Sequence, residues 1–222
     1  MKRAIIYLLC YLCMGLCHLS SKTKHVCAIE EPSYGVVRSE SEFEIRLYNE
    51  SSWMSASVRG SSFNLSIAIG FRRLYQYIQG ANLNSSHIAF TAPILTSIAS
   101  SSTSSSSGNV EYTVRFYMSP KYKGNPPESN PELKLHLDKW NSHCVAVRKF
   151  SGFARDDNID KEIKALVSSI NTHFPPGDSA VIQDKGSYAI AQYNGSHKLS
   201  GRLNEAWVTI SGSSVVGCPT PK

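Results

Sequence analysis

The chain has 222 residues, 41% of them hydrophobic and 18% charged. That composition excludes a disordered or fibrous chain, and the length suffices for one domain with a real core. The formal charge of +6 is weaker than it looks, because a cut after Ala28 would remove Lys2, Arg3, Lys22 and Lys24 and no acids, leaving 19 basic against 17 acidic residues, or +2. Nucleic acid is therefore not the expected partner.

Residues 1–28 read as a signal peptide, cleaved between about 20 and 28: Lys2 and Arg3 precede an apolar run from Ala4 to Leu19. The run is short for a membrane span. No second run of spanning length follows, so no stable span is expected after cleavage. The domain proper is expected over 29–212, with a tail over 213–222. Cys10, Cys13 and Cys17 lie in the leader, which leaves Cys27, Cys144 and Cys218. One disulfide is expected, Cys144–Cys218 or Cys27–Cys218. Sequons at Asn49, Asn64, Asn84 and Asn194 suit a secreted or vacuolar glycoprotein.

In chain order, YGVVR (34–38), FEIRLY (43–48) and WMSASVR (53–59) predict strands. In the second of these, Phe43, Ile45 and Leu47 alternate with Glu44, Arg46 and Tyr48, the period of a half-buried strand. Ile67, Phe71, Leu74 and Ile78 then fall at helical spacing, with Ser61 or Ser62 as a cap and Gly80 beyond the end. HIAFTAPILT (87–96) predicts a strand with Ile88, Phe90, Ala92 and Ile94 inward. Pro93 cannot donate to a ladder, so an edge or a bulge is expected there. The serine run at 100–108 is expected to be a surface loop.

VEYTVRFYM (110–118) and LKLHLD (133–138) predict strands around a proline-rich turn. HCVAVRKF (143–150) is a strand, and Ile159, Ile163, Leu166, Val167, Ile170 and Phe174 mark a second helix, stopped by Pro175-Pro176-Gly177. SYAIAQY (187–193) and EAWVTIS (205–211) close the series. Ile45-Arg46-Leu47-Tyr48 matches Val147-Arg148-Lys149-Phe150 in residue type, and each precedes a helix and then strands. The expected fold is α+β: a distorted antiparallel β-barrel of two β-β-α-β-β repeats, with two amphipathic helices packed on it.

Sequence motifs for catalysis are missing: no GxSxG, HExxH, P-loop or GxGxxG occurs, and no two histidines stand at ligand spacing. His87, His136 and His143 are expected as partly exposed strand residues. No enzyme is expected. Leu65 and Ile69 add apolar surface on another side of the first helix, beside Arg72 and Arg73. Either another part of the chain covers them, which is the plainer expectation, or they form an apolar groove for a flat ligand carrying carboxylates.

Seven motifs in order carry a resemblance: FEIRLY, Trp53, GFRRLYQYIQG (70–80), FTAPI (90–94), FYMSPKY with NPP (116–127), VAVRKFSGFA (145–154) and GRLNEAW (201–207). Together they closely resemble the SOUL haem-binding protein family, most of all plant members with a signal peptide. The resemblance implies reversible binding of haem or another porphyrin, as a ligand rather than a catalytic cofactor, by a monomeric carrier or buffer. It implies a groove between the first helix (Ile67, Phe71, Arg73, Leu74, Tyr75) and the loop joining the last two strands (Tyr193, His197, Lys198, Arg202). Arg73 and Lys198 would meet the propionates. The histidine proposed as an iron ligand in some members is Leu47 here, and His197 is the remaining loop histidine, expected as an exposed residue rather than a ligand. A glycan on Asn194 would stand at the groove mouth. The rival expectation is a non-catalytic protein-interaction module that kept the barrel and lost the porphyrin.

Overall fold

Short links decide how the strands are arranged. The computed structural model describes residues 29–99, 110–174, 182, 187–210 and 215–219. The leader with Cys27, the serine run and the Pro175–Gly177 stop lie outside the described residues. The elements are β1 (Tyr34–Ser39), β2 (Glu44–Tyr48), β3 (Ser51–Gly60), α1 (Phe63–Ile78), β4 (Ile94–Ala99), β5 (Val110–Met118), β6 (His136–Trp140), β7 (His143–Phe150), α2 (Ile159–His173), β8 (Ser187–Gln192) and β9 (Asn204–Ile210). They form one nine-stranded sheet, ordered β1-β2-β7-β9-β8-β4-β5-β3-β6, with antiparallel pairing throughout.

β2 and β3 stand six places apart in that order, and so do β6 and β7, yet two residues join each pair: Asn49-Glu50 and Asn141-Ser142. Three Cα steps reach about 11 Å. Six flat strand spacings would need about 29 Å. The sheet must therefore curl until its flanks approach, which makes it a half-barrel.

The β-β-α-β-β repeats are β2-β3-α1-β4-β5 and β6-β7-α2-β8-β9, joined at the centre by β4 and β8. Each repeat gives its first strand to the other: β2 pairs with β7, and β6 pairs with β3. This corrects the residue match read in the sequence. Ile45–Tyr48 and Val147–Phe150 lie on β2 and β7, which are neighbours in the sheet and not equivalents. The counterpart of β2 is β6, and that of β7 is β3.

Both helices pack on one face. α1 buries Phe63, Leu74, Tyr77 and Ile78, with Leu74, Tyr77 and Ile78 meeting Met54, Val114 and Phe116. α2 buries Ile159, Ile163, Leu166 and Ile170 against Ile45, Ala146, Ile190 and Val208. Gly70 lets α1 lie flush on β5, since a Cβ there would stand 2.5 Å from Val114 Cγ2. The Ser62 hydroxyl accepts from the Leu65 amide, and Gly80 follows the helix at φ +108°. A second cap comes from the other repeat: Asp156, just before α2, accepts from the amides of Phe63 and Asn64 and from the Ser62 hydroxyl. It therefore stabilises the start of α1 rather than of its own helix.

The structure corrects the expectations for two strands. HIAFTAPILT is a strand only from Ile94, and the Ala92–Pro93 bond is cis. β4 lies between β8 and β5, inside the sheet, so Pro93 needs no edge because it precedes the ladder. Phe90 is 45% exposed and not core. The strand read at 133–138 begins at His136, because a 3₁₀ turn takes Pro131–Leu133. The open disulfide choice resolves as Cys144–Cys218, with Cα atoms 5.7 Å apart.

Gly70→Ala should destabilise the fold by about 1–3 kcal/mol through overpacking, read as a lower urea midpoint. Asp156→Ala should cost about 1 kcal/mol at pH 7. Burial alone would raise the Asp156 carboxyl, but the Phe63, Ser62 and Asn64 donors outweigh it and hold the pKa below the usual value. A depressed folded pKa gives stability that is present above the unfolded value of about 3.9. It is lost as pH falls through the folded value, so wild type and Asp156→Ala should converge in acid.

Candidate functional site

β2 was read as half-buried, and the structure buries it on both faces. Ile45 and Phe43 lie under α2, while Arg46 and Tyr48 point into the hollow of the curled sheet, where Arg46 is 1% exposed. A buried guanidinium requires charge and hydrogen-bond partners. Arg46 Nη1 lies 3.0 Å from Glu205 Oε1 and donates to Tyr48 at 3.2 Å, Nη2 lies 2.7 Å from Glu44, and the group stands 4.4 Å over the Tyr34 ring. Glu205, 2% exposed, also accepts from Tyr193 and the Trp207 indole. Burial would pull Arg46 down, yet the Glu205 carboxylate holds it above its ordinary value. Burial and then Glu205 push Tyr193 up, keeping the phenol neutral.

Aromatic rings line the rest of the hollow. Trp207 meets Tyr48 at 4.7 Å, Tyr48 meets His143 at 6.4 Å, His143 meets Trp140 at 5.3 Å and Trp140 meets Trp53 at 5.3 Å. At one end the hollow opens as a cleft of about 700 Å³, lined by Trp140, His143, Val145, Ala189, Trp207 and Thr209 among others. On the far flank Arg115 lies 2.8 Å from Asp138 and 5.2 Å from the Trp140 ring.

The residues predicted for a ligand groove divide into groups. Ile67, Phe71 and Tyr75 lie half-buried along one flank of α1, with Leu74 fully buried beneath them. Phe71 stands 6.0 Å from Tyr75 and 6.4 Å from Phe90. Arg73 is turned to the opposite flank, where it donates to the carbonyls of Leu133, Ser57 and Lys134. Three of its five N–H donors thereby tie α1 to β3 and to the turn before β6. Arg202 likewise donates to the carbonyls of Asn194, Gly195 and Lys198 and stacks 4.1 Å from Phe153, so it shapes its own loop. Tyr193 points into the hollow with Glu205, on the other face of the sheet from α1. His197 and Lys198 are exposed. Leu65 and Ile69 are 62% and 44% exposed, so the expectation that they are covered is corrected.

A curled antiparallel sheet with two helices on its outer face defines an α+β half-barrel of duplicated design. The same architecture occurs in the structure described as the EcmrR C-terminal domain, at TM-score 0.51 and 10% identity, covering 77% of this chain and 97% of that one. Residues 29–209 match the family described as SOUL heme-binding protein, and the chain belongs to that family. Heme-binding protein 2 of Homo sapiens is 28% identical over 166 residues, covering 75% of this chain and 77% of its own. Heme-binding protein 1 of Xenopus laevis is 23% identical, covering 74% of this chain and 82% of its own.

Sequence reasoning missed Arg46, Glu205 and Trp207 as partners. Glu205 and Trp207 stand in the GRLNEAW motif and Arg46 in FEIRLY, so the signal was a charged residue set against apolar neighbours in each strand, Ile45 and Leu47 around Arg46 and Ala206 and Trp207 after Glu205. Removing one partner should expose that signal: Arg46→Met or Glu205→Gln alone should cost about 3–5 kcal/mol, because each leaves a buried group uncompensated. The pair changed together should cost less than the sum of the two, as measured by a double-mutant cycle in urea.

Proposed function

We propose that this protein binds haem or a related tetrapyrrole reversibly and serves as a carrier or buffer on the secretory route. The observation that carries the reading is the apolar flank of α1. The Phe71 ring stands 6.0 Å from Tyr75 and 6.4 Å from Phe90, and Phe90 keeps 45% of its surface exposed. Such a shelf takes the face of a flat apolar ligand by burial alone. Membership of a haem-binding family supports the same ligand class. Lys198 and Arg72 are exposed cations able to meet propionates, whereas three of Arg73's donors are committed to main-chain carbonyls. The disulfide between Cys144 and Cys218 and the exposed sequon residues Asn49, Asn64 and Asn84 support passage through an oxidising compartment.

The uncovered Leu65 and Ile69 favour the second reading, a protein-interaction module. Titration separates the two. Haemin and metal-free protoporphyrin should each give a saturable Soret change at micromolar concentration, and Phe71→Glu with Lys198→Glu should weaken both by on the order of tenfold or more, equal to about 1.4 kcal/mol. Absence of any Soret change with either ligand would sink the carrier reading and leave the interaction module.

A further inference from the structure

The four sequons do not stand alike in the fold. Asn64 is the second residue of α1 and is exposed, and Asn84 sits exposed in the turn that follows the helix. Among the described residues neither side-chain amide has a hydrogen-bond partner. The other two amides serve the chain itself. Asn49 Nδ2 donates to the Ser33 hydroxyl at 3.0 Å, and the half-buried Asn194 accepts from the Leu203 amide on Oδ1 at 2.7 Å. In the two free sequons the hydroxyl residue is turned inward. Ser66 is 1% exposed and so close to Gly60 that a Cβ there would stand 2.6 Å from its Oγ. Ser86 is half-buried and donates to Asn82 Oδ1 through both its amide and its hydroxyl. A sequon is read through its asparagine and its hydroxyl together. A glycan at either site is therefore added before the segment folds, and folding then presents the asparagine to solvent.

Both asparagines stand beside apolar surface that the chain leaves open. Leu65, next to Asn64, is 62% exposed, and Ile69, one turn further on the same stripe, is 44% exposed. Leu83, next to Asn84, is 61% exposed and shares a groove of about 380 Å³ with Asn84, Tyr122, Pro126 and Pro127. Single exposed apolar residues need no explanation, but adjoining ones mark a surface that something covers. A bulky, solubilising glycan is such a cover. We infer that Asn64 and Asn84 carry N-linked glycans that cover the Leu65–Ile69 face and the Leu83 groove. One glycan then stands at each end of α1. Phe71 is seven residues, about 10.5 Å along the helix, from Asn64, so the Phe71–Tyr75 flank lies clear of the attachment points. The inference rests on the secretory-route reading and adds to it which sequons are used and what they cover.

The test uses the full chain expressed in eukaryotic cells. Enzymatic release of N-glycans turns each occupied asparagine into aspartate, and peptide mass mapping should find that change at Asn64 and at Asn84. Asn64→Gln and Asn84→Gln should each remove one glycan's mass from the intact protein, and the double variant should remove both. The double variant should also bind an environment-sensitive apolar dye on the order of twofold more than wild type, because the leucine surfaces are uncovered. If that variant is not secreted, wild type stripped of its glycans under native conditions takes its place. Asn64 or Asn84 unmodified in a protein whose leader has been removed would overturn the inference, leave the secretory route standing and leave that surface open to a protein partner. A retained leader with no glycan on any sequon would overturn both. Occupied sites with no rise in dye binding after the glycans are lost would overturn the covering role.

Discussion

Two ion pairs of opposite polarity hold the exchanged strands, and the rest of the half-barrel depends on them. On one flank, Arg46 of β2 reaches across β7 to Glu205 of β9. On the other, Asp138 of β6 reaches across β3 to Arg115 of β5. The repeats are alike in topology, so β2 and β6 face a choice of partner. Were each strand to stay with its own repeat, Arg46 would be set near Arg115 and Asp138 near Glu205. Like charges in a buried hollow are strongly unfavourable. A buried ion pair adds little net stability over an apolar pair. Here the pairs match the exchange of strands, each charge meeting its opposite across one intervening strand.

That arrangement gives the sheet two unlike faces. The outer face is covered by α1 and α2 and is conventionally apolar, with Ile45, Val114, Ile190 and Val208 beneath the helices. The inner face carries Trp53, Tyr117, Trp207, Tyr48 and the ion pairs. Rings with a polar edge suit such a lining, because they bury area while finding partners for their N–H and O–H groups, as Trp207 and Tyr193 do on Glu205. Membership of a haem-binding family fits a protein with aromatic surface on both sides of its sheet.

The legible part of the fold was the part set by local pattern. The periods of Val110–Met118, His143–Phe150 and both helices gave those elements nearly residue for residue, and the β-β-α-β-β plan followed from their order. Partner choice was not legible. The likeness of Ile45–Tyr48 to Val147–Phe150 pointed to equivalent strands, whereas the two pair with each other. Adjacent strands buried on the same two faces select similar residues, so similarity could not separate neighbours from counterparts. Alternation in FEIRLY implied a solvent face for Arg46, since a lone arginine in a strand is usually exposed. Its burial depends on Glu205, 159 residues away, which no local pattern contains. The candidate groove shows the same limit: Arg73 read as a propionate partner and Arg202 as part of the ligand loop, and local pattern could not show that main-chain carbonyls brought near by the fold bind both guanidinium groups.

The strand exchange also sets the order in which the molecule can be completed. β2 pairs with β7 at Glu44–Val147, so a strand made near the start of synthesis waits about a hundred residues for its interior partner. α1, β3, β4 and β5 can assemble meanwhile from contacts within the first repeat, but β2 and the free edge of β3 remain open to other chains. Long-range pairing of this kind slows folding and leaves edges available for misassembly. The late arrival of β6 and β7, linked by only two residues, fills both edges almost together. Closure of the half-barrel is thus a late and concerted event, and the β6–β7 segment, whose two strands pair on opposite flanks, is the piece on which it turns.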